Sequence, residues 1–335
     1  MKQRTATIQD VARAAGVSTA TVSRTLSKPS VVARATREAV LGAVEATGYR
    51  LNATASNLRR QRAGSVIALI PNLANPFFSQ ILAGISSVLT KAQLGLLVAD
   101  TQSGPDPDER LAYYLRSGQA DGLILLDGTL NEAVLDVAGR PPVLMACEWM
   151  GSDLPSLRVD NARGVDMAIA HLVQMGHRKI GHITGPQSNV LTKARHDGFV
   201  AAMMARGMIL HEDWIFDGDF SMDSGRAAAR QWLGLDDRPT AVFCASDEMA
   251  VGFMGAAQHA GVRVPDDVSI IGFDNIEMVG HLTPALTTIR QPRTEIGVRA
   301  AEMLLGMIEA GALTGPSEQI DVEFVIRESV ARIAE

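Results

Sequence analysis

The sequence lacks the features of secreted and membrane-spanning proteins. It contains only two cysteines, Cys147 and Cys244, which lie too far apart to indicate a disulfide framework or a cysteine-ligated zinc site. No run of about 18 apolar residues is present, and the N-terminus, MKQRTATIQD, lacks the apolar stretch of a signal peptide. These absences predict a cytoplasmic protein that makes no membrane contact.

Catalytic motifs are missing as well. The seven histidines form no i, i+4 pair and no His-Glu-x-x-His pattern. No Gly-x-Gly-x-x-Gly, Walker A or Gly-x-Ser-x-Gly segment occurs, and the sequence Ser-Asp-Glu at 246–248 is typical of a strand end that caps a helix. We therefore expect no enzymatic activity, no metal site and no cofactor.

Aliphatic residues are abundant, and charge is distributed unevenly. Hydrophobic residues make up 47% of the 335 positions and aromatic residues only 4%, which predicts two or three folded domains with aliphatic cores. Residues 1–62 hold eleven Lys and Arg against three Asp and Glu, so this segment carries +8 in a chain of net charge −6. A basic head on an acidic body predicts that the head alone binds a polyanion such as nucleic acid.

The first fifty residues have the pattern of three short helices. Thr7 and Ser18 are the predicted N-caps of the first two. Apolar residues recur at helical spacing, and in the third helix Val40, Leu41 and Val44 form the predicted apolar stripe. The predicted helices cover 8–14, 19–26 and 33–47.

From Ser65 onward, short apolar runs alternate with amphipathic segments. This alternation predicts two doubly wound parallel sheets, because near-continuous apolar strands must be covered by helices on both faces. The PDPDER and RPP stretches, at 105–110 and 140–142, are predicted to be solvated connections. Strands are predicted over 66–70, 96–99, 123–126, 143–146, 179–184, 241–245, 268–273 and 324–329, and helices over 78–91, 165–175, 193–206, 226–233 and 248–259.

Polar and aromatic side chains follow several of the predicted strands. Ligands bind beyond the carboxyl ends of parallel strands, so these positions are candidate binding residues. Aromatic rings beside hydrogen-bonding groups suit a polar, ring-bearing small molecule, while core packing is the alternative explanation for each aromatic. The positions are Asn75, Phe77, Phe78, Asp100, Asp127, Glu148, Trp149, the loop GPQSNVLTKAR at 185–195, Asp219, Phe220, Ser246, Asp247, Asp274 and Asn275.

Several segments, in order along the chain, resemble the lactose/galactose repressor (LacI/GalR) family. They are TIQDVARAAGVSTATVSRTLS (7–27), GYRLNATASNLRR (48–60), SVIALIPNLANPFFSQILAGI (65–85), GHRKIGHITGP (176–186), RPTAVFCASDEMAVG (238–252), VRVPDDVSIIGFDN (262–275) and LTPALTTIRQP (282–292). The resemblance covers essentially the whole chain. It implies an α/β protein with an all-α helix-turn-helix headpiece and a periplasmic-binding-protein-like core of two doubly wound subdomains.

The same resemblance implies where the domains begin and end. The implied boundaries are 1–50 for the DNA-binding headpiece, 51–63 for a hinge helix and linker, and 64–335 for the effector-binding and dimerisation core. Within the core, the N-subdomain comprises 64–161 and 293–322, and the C-subdomain comprises 162–291 and 323–335.

DNA contacts are implied for the headpiece and the hinge. Thr19, Ala20 and Arg24 match positions that touch base edges in the major groove, where Arg24 can donate two hydrogen bonds to guanine. Leu58 matches a hinge leucine that wedges into the minor groove, and Arg59 lies beside it. The hinge sequence Ala-Ser-Asn-Leu at 55–58 lacks the arginine usual in the family. Phosphate contacts are implied for Thr7, Ser18, Thr21 and Ser23.

An effector site between the subdomains is also implied. Phe220 can stack on a ring, Arg195 can bind an oxygen, and Asp274 can accept hydrogen bonds from hydroxyl or ring N–H groups. Asn189 and Leu191 replace an arginine and a threonine of purine-responsive members, which argues against a free purine base. A nucleoside is the leading expectation, and a pentose or hexose is the alternative. The implied site comprises Phe77, Phe78, Glu148, Asn189, Leu191, Arg195, Phe220 and Asp274.

Two kinds of function fit this organisation: an effector-controlled DNA-binding repressor, or a solute-binding protein that shares only the core. The basic head and the missing export signal favour the repressor. A homodimer is expected because a single short headpiece contacts only half of a pseudo-palindromic operator in double-stranded DNA. The sequence leaves open whether the effector releases DNA or strengthens its binding.

Overall fold

The chain folds into two compact units, one up to residue 62 and one from residue 63 onward. The structure, a computed structural model, describes residues 6–50, 62–102, 106–150 and 154–333. The first unit is helical, and the second is an α/β unit built on two mostly parallel sheets. The predicted fold class is confirmed.

A small apolar core holds the N-terminal unit together. Its helices are α1 (Ile8–Ala15), α2 (Thr19–Ser27) and α3 (Arg34–Thr47). Val11, Val22 and Val40, one from each helix, are fully buried. The predicted stripe on α3 was wrong at Leu41, which is 50% exposed. Adjacent residues on a helix do not share a face, so Ala43 takes the inward position beside Val40 instead.

The predicted N-caps of α1 and α2 are confirmed. Thr7 and Asp10 form a reciprocal capping box, in which the Asp10 carboxylate accepts from the Thr7 N–H at 3.0 Å. Ser18 Oγ accepts from the Thr21 N–H at 3.1 Å. Gly16 ends α1 with φ at 66°, a left-handed conformation that favours glycine. The Gly16 turn and the Ser18 cap therefore define where α1 ends and α2 begins.

Two six-stranded sheets organise the second unit. The strands are β1 (Ser65–Ile70), β2 (Gly95–Asp100), β3 (Gly122–Leu125), β4 (Val143–Ala146), β5 (Ser156–Val159), β6 (Ile180–Ile183), β7 (Ile215–Phe216), β8 (Ala241–Cys244), β9 (Ser269–Asp274), β10 (Thr287–Arg290), β11 (Glu318–Ile320) and β12 (Glu323–Val325). The first sheet has the order β11-β5-β4-β3-β1-β2 and is parallel throughout. The second has the order β12-β10-β9-β8-β6-β7, with only β12 antiparallel to its neighbour.

The chain passes between these sheets three times. Strands β1 to β5 belong to the first sheet and β6 to β10 to the second, after which β11 returns to the first and β12 to the second. The helices of this unit are α4 (Phe77–Lys91), α5 (Pro107–Arg116), α6 (Asn161–Gln174), α7 (Val190–Ala205), α8 (Met222–Gly234), α9 (Asp247–His259) and α10 (Arg293–Ala310). Among the described residues, no helix is long and apolar enough to cross a bilayer.

The prediction of a solvated connection over 105–110 was wrong from Pro107 onward, and residue 105 lies outside the described residues. Helix α5 begins there, at Pro107, and the Asp106 carboxylate caps it by accepting backbone N–H groups. Proline suits the first helical position because its missing N–H would have no partner there. The side chains of Leu111 and Leu115 are buried under the first sheet's core cluster, so this surface segment has an apolar face after all.

Helices α4 and α10 touch at two glycines. A Cβ on Gly84 would lie 2.3 Å from the Thr294 carbonyl oxygen, and one on Gly297 would lie 2.0 Å from the Ile81 carbonyl oxygen. This backbone approach therefore requires glycine at both positions. The contact joins α10, which follows β10 in the chain, to α4, the helix whose first turn carries Phe77.

Candidate functional site

One side of α2 is open to solvent. Thr19, Ala20 and Arg24 are exposed and Ser23 is half-buried. Because residues four apart lie on the same helix face, the predicted base-contact positions form one surface. This surface bounds a concave space of about 510 Å³, lined by Ile8, Gln9, Thr19, Ala20, Ser23, Arg24 and Ser27.

Three of the four predicted phosphate contacts, Thr7, Ser18 and Thr21, lie at the N-termini of α1 and α2, and Ser23 lies in the middle of α2. Thr7 and Ser18 are the exposed N-caps, and the hydroxyls of Ser18 and Thr21 lie 2.9 Å apart. The N-terminus of a helix carries partial positive charge and unpaired N–H groups, so it suits a phosphate. Leu58 and Arg59 lie outside the described residues.

Residues that follow strands of both sheets line a pocket of about 280 Å³. This volume is near the lower end of small-molecule sites, about 300 Å³. We call this space the cleft pocket. All eight residues predicted for the effector site line it: Phe77, Phe78, Glu148, Asn189, Leu191, Arg195, Phe220 and Asp274.

Two phenylalanines form the apolar wall that α4 contributes. The rings of Phe77 and Phe78 meet edge to face, with centroids 5.2 Å apart. Asn75 Oδ1 accepts from the Phe77 N–H at 2.8 Å. The Arg293 guanidinium donates to the carbonyl oxygens of Phe77 at 3.3 Å and Asn275 at 3.0 Å. Arg293, at the start of α10, therefore links Phe77 by hydrogen bonds to the loop after β9.

Glu148 and Asn189 meet across the cleft pocket. Glu148 follows β4, and its carboxylate accepts from the Gly128 N–H at 2.6 Å and from Asn189 Nδ2 at 2.9 Å. Burial raises the pKa of Glu148 to about 7; the hydrogen bonds from Asn189 and Gly128 oppose this shift, and the charge of Asp127 adds to it. The Asn189 Oδ1 also accepts from the Leu191 N–H at 2.8 Å, which caps α7.

Arg195 is the one cation among the described residues that line the pocket, and it is held on several sides. Its guanidinium donates to Asn161 Oδ1 at 2.9 Å and to the Ala245 carbonyl oxygen at 2.5 Å. It also lies over the Phe273 ring, 3.9 Å from the centroid. Burial lowers the pKa of Arg195, and the negative charge of Asp274 opposes that shift. A fixed guanidinium of this kind can bind an oxygen of a ligand.

Asp274 supplies the matching acceptor. Its Oδ1 lies 3.8 Å from the Arg195 guanidinium and accepts from Gln291 Nε2 at 2.7 Å. Burial raises the pKa of Asp274 to about 6, which outweighs the opposing effect of Arg195. Asp274 has φ at 123° and Phe220 has φ at 65°, both in the left-handed region. Such strain is held in place by surrounding structure and is common at binding sites.

Sequence reasoning missed several residues of the cleft pocket. Glu248 lies in the first turn of α9 and lines the pocket, although in its segment only Ser246 and Asp247 were candidate binding positions. The capping role predicted for this segment is confirmed for Ser246, whose Oγ accepts from the Met249 N–H at 3.3 Å. The position of Glu248 just beyond β8 was the available signal, since ligands bind past strand ends.

A larger groove of about 980 Å³ is a weaker candidate site. It is lined by charged residues around the chain crossings, and several of these charges are already paired. Arg290 is paired with Glu323, with 2.5 Å between the charged atoms, and Arg299 is paired with Glu318 at 2.7 Å. A wide groove in which charged side chains pair with each other offers a ligand few free hydrogen-bonding groups. We therefore assign the ligand to the smaller cleft pocket. No cluster of His, Cys, Asp and Glu among the described residues could hold a metal ion.

Comparison with known proteins assigns both units. Residues 7–52 match the model of bacterial regulatory proteins, lacI family, and residues 169–330 match that of a periplasmic binding protein-like domain. The HTH-type transcriptional repressor CytR of Escherichia coli (strain K12) is 37% identical over 332 residues, which cover 98% of this chain and 97% of that protein. The chain belongs to the LacI family of bacterial regulatory proteins.

Two further comparisons support the LacI-family assignment. The HTH-type transcriptional repressor PurR of Photobacterium profundum is 36% identical over 331 residues, 97% of this chain and 98% of that protein. The solved structure of the Lac repressor dimer bound to operator and the anti-inducer ONPF matches with a TM-score of 0.87 and 30% identity, covering 98% of this chain and all of that one. The protein is therefore a DNA-binding transcriptional regulator with an effector-binding core, and it is not an enzyme.

Proposed function

We propose that this LacI-family regulator is a cytoplasmic repressor whose operator affinity is controlled by a nucleoside in the cleft pocket. The observation that carries this proposal is the convergence of the predicted effector residues around one space of about 280 Å³. Phe220 stacks on the base. Arg195 and Asp274 bind the sugar hydroxyls, and Glu148 and Asn189 bind polar groups from the other side.

The headpiece recognises the operator. In this proposal Thr19, Ala20 and Arg24 contact base edges, which determine sequence preference. Leu58 wedges into the minor groove beside Arg59. The N-caps and neighbouring hydroxyls, Thr7, Ser18, Thr21 and Ser23, position the headpiece on phosphates.

The effector acts by changing the relation of the two subdomains. The proposed boundaries are those implied by the sequence, 64–161 with 293–322 and 162–291 with 323–335, and the three crossings of the chain between the sheets support them. A ligand that binds one subdomain arrangement better shifts the protein toward it. That arrangement sets the separation of the hinge segments at 51–63 and so their ability to order on DNA.

A pentose or hexose is the second candidate effector. A LacI-family regulator from Enterococcus faecium, solved with bound ribose, matches with a TM-score of 0.74 and 29% identity, covering 81% of this chain and all of that one. A pocket of 280 Å³ also suits a monosaccharide, for which Phe77 and Phe220 would be stacking surfaces.

A ligand screen tests the proposal. The full chain is heated with cytidine, uridine, adenosine, inosine, ribose or glucose, since a ligand that binds only the folded state raises the melting midpoint. We expect a rise with nucleosides and none with the free sugars. The active compound is then added to the protein on an operator selected from random duplex DNA, and a change in binding is expected. Shifts with sugars alone would replace the nucleoside by the second candidate.

A further inference from the structure

The cleft pocket contains many more acids than bases. Among its described lining residues, five carboxylates face a single guanidinium, that of Arg195. The carboxylates belong to Asp127, Glu148, Asp219, Glu248 and Asp274. A pocket of this charge favours ligands that donate hydrogen bonds or carry positive charge, and it disfavours ligands whose edges present only oxygen acceptors.

Four of these carboxylates already accept hydrogen bonds from the protein. Asp127 accepts from the hydroxyl of Thr101, at 2.5 Å, and from the N–H of Thr129, at 2.9 Å. Asp219 accepts from the Ser221 N–H, also at 2.9 Å. The partners of Glu148 and Asp274 are described above. These four groups are therefore largely used in fixing the shape of the pocket.

Glu248 is different. It is half-buried in the first turn of α9, where it lines the pocket, and it accepts no hydrogen bond from the described residues. Burial, together with the negative charges of Asp274 and Asp219, raises the pKa of Glu248 to about 7. A carboxylate that lines a ligand pocket without a partner has its acceptor oxygens free for the ligand.

We propose that Glu248 accepts a hydrogen bond from an amino group on the base of the effector, so that the protein selects nucleosides with an exocyclic amino group over their oxo counterparts. This inference rests on the proposed nucleoside function and narrows it. An oxo group at the same place would set an oxygen against the Glu248 carboxylate. The amino nucleoside gains a charge-assisted hydrogen bond, whereas the oxo nucleoside meets a repulsive contact. This difference corresponds to an affinity ratio of about tenfold or more in favour of the amino nucleoside.

The protonation of Glu248 makes the preference depend on pH. The charges of Asp274 and Asp219 act directly on it, and the other charged groups that line the same pocket are Arg195, Asp127 and Glu148. An amino group favours the ionised carboxylate, so affinity for amino nucleosides rises as the pH increases through 7. A protonated Glu248 can instead donate to an oxo group, so affinity for oxo nucleosides falls over the same range.

Two matched ligand pairs test the inference: cytidine against uridine, and adenosine against inosine. Their dissociation constants for the full chain are measured by calorimetry at pH 6, 7 and 8. We expect the amino member of each pair to bind about tenfold more tightly at pH 8 and the gap to narrow at pH 6. Glu248→Gln keeps the shape and one acceptor but adds a donor, so the preference and its pH dependence should both be lost.

Further variants separate this role from damage to the fold. Glu212→Gln makes the same chemical change at an exposed position of the same subdomain and should keep the wild-type preference. Glu248→Asp keeps the charge on a shorter side chain, so it should weaken binding but retain the pH dependence. Equal binding of both members of each pair, or a preference that survives in Glu248→Gln, overturns the inference while the nucleoside function stands. Failure of every nucleoside to bind overturns the proposed function itself.

Discussion

Asn189 connects the two walls of the cleft pocket through a single side chain. Its Nδ2 donates to Glu148 Oε1 at 2.9 Å, while its Oδ1 accepts from the Leu191 N–H at 2.8 Å and caps α7. Glu148 comes from the first sheet and α7 packs on the second. Any change that weakens this pair should therefore loosen the approach of the two sheets without removing either from its own core.

Asn189→Asp should lower the free energy of unfolding by an amount that depends on pH. Aspartate caps a helix as well as asparagine does, so α7 keeps its cap, but the donor to Glu148 becomes an acceptor. We expect a loss of about 1–3 kcal/mol in the free energy of unfolding at pH 8. The loss should shrink at pH 6, because Glu148, whose pKa burial raises to about 7, then carries a proton that it can donate. Urea unfolding at both pH values measures the loss. Asn189→Ser is the control, since it keeps a helix-capping side chain and adds no charge. Equal losses for Asn189→Asp at both pH values would contradict the prediction.

Arg24→Lys should reduce specificity more than affinity. Lysine keeps the positive charge at this exposed position of α2 but cannot form the fork of two hydrogen bonds that suits guanine. Discrimination between the selected operator and random duplex DNA should fall by about 1–3 kcal/mol. Fluorescence anisotropy at fixed salt measures both affinities. Arg34→Lys, an exposed change at the start of α3, serves as the control, and a loss of the same size there would refute the assignment.

The exposed apolar residues of the edge strand β2 should lie in the dimer interface. Leu97 is 45% and Val98 38% exposed, and β2 ends its sheet with no further described strand beside it. Replacing both by Glu should shift the protein from dimer to monomer and weaken operator binding, while the effector still binds. Sedimentation velocity measures the change. The matched pair Met204→Glu and Ile209→Glu, at positions 68% and 70% exposed, should leave the dimer intact.

His182→Phe should reduce the loss in free energy of unfolding that occurs as the pH falls. His182 is fully buried and stacks against the rings of Phe199 and Phe243, with centroids 4.8 and 5.2 Å away, and burial lowers its pKa to about 3 from an ordinary value of 6.5. Below pH 6.5 the unfolded chain therefore takes up a proton that the folded chain does not, so stability falls as the pH drops toward 3. This amounts to about 2 kcal/mol between pH 6.5 and pH 5.

The variant should be less stable than wild type at pH 7, since the Phe243 carbonyl loses the donor Nδ1, but it should lose less on acidification. Urea unfolding at pH 7, 6 and 5 gives both slopes. The buried carboxyls titrate alike in the two proteins, so the difference between the slopes reports His182. The exposed change His259→Gln is expected to leave the slope unchanged, and parallel slopes for His182→Phe and wild type would be evidence against the prediction.

Sequence patterns predicted the elements with a clear apolar run well and missed elements in which that pattern is short or weak. The buried apolar runs that became β1, β4 and β9 stand out because consecutive apolar residues leave few alternatives. Strand β7, with two residues, is too short to show a period. Helix α10 was also missed, since small residues at its contact with α4 weaken the apolar stripe that marks a helix.

The eight effector residues all lie after predicted strands, and the resemblance to a family selected them from that larger set of candidates. The residue types alone allowed core packing for each aromatic, and Phe77 and Phe78 are indeed more than nine-tenths buried while also lining the pocket. Glu248 escaped because a polar residue in the first turn of a helix is so often explained by the helix itself. Only the tertiary structure shows that Glu248 lines the pocket and that its carboxylate accepts no hydrogen bond from the described residues.

The sequence by itself determined what depends on near neighbours: the caps of α1 and α2, the exposed face of α2, the charge of the headpiece and the alternation of strands and helices. These follow from backbone geometry and side-chain chemistry over a few residues. The tertiary structure alone decided that Glu148 and Asn189, 41 residues apart, share a hydrogen bond, and that five carboxylates and one arginine line the same pocket. Burial and proximity set the pKa values of those groups, and both arise from packing between distant segments that no local pattern encodes.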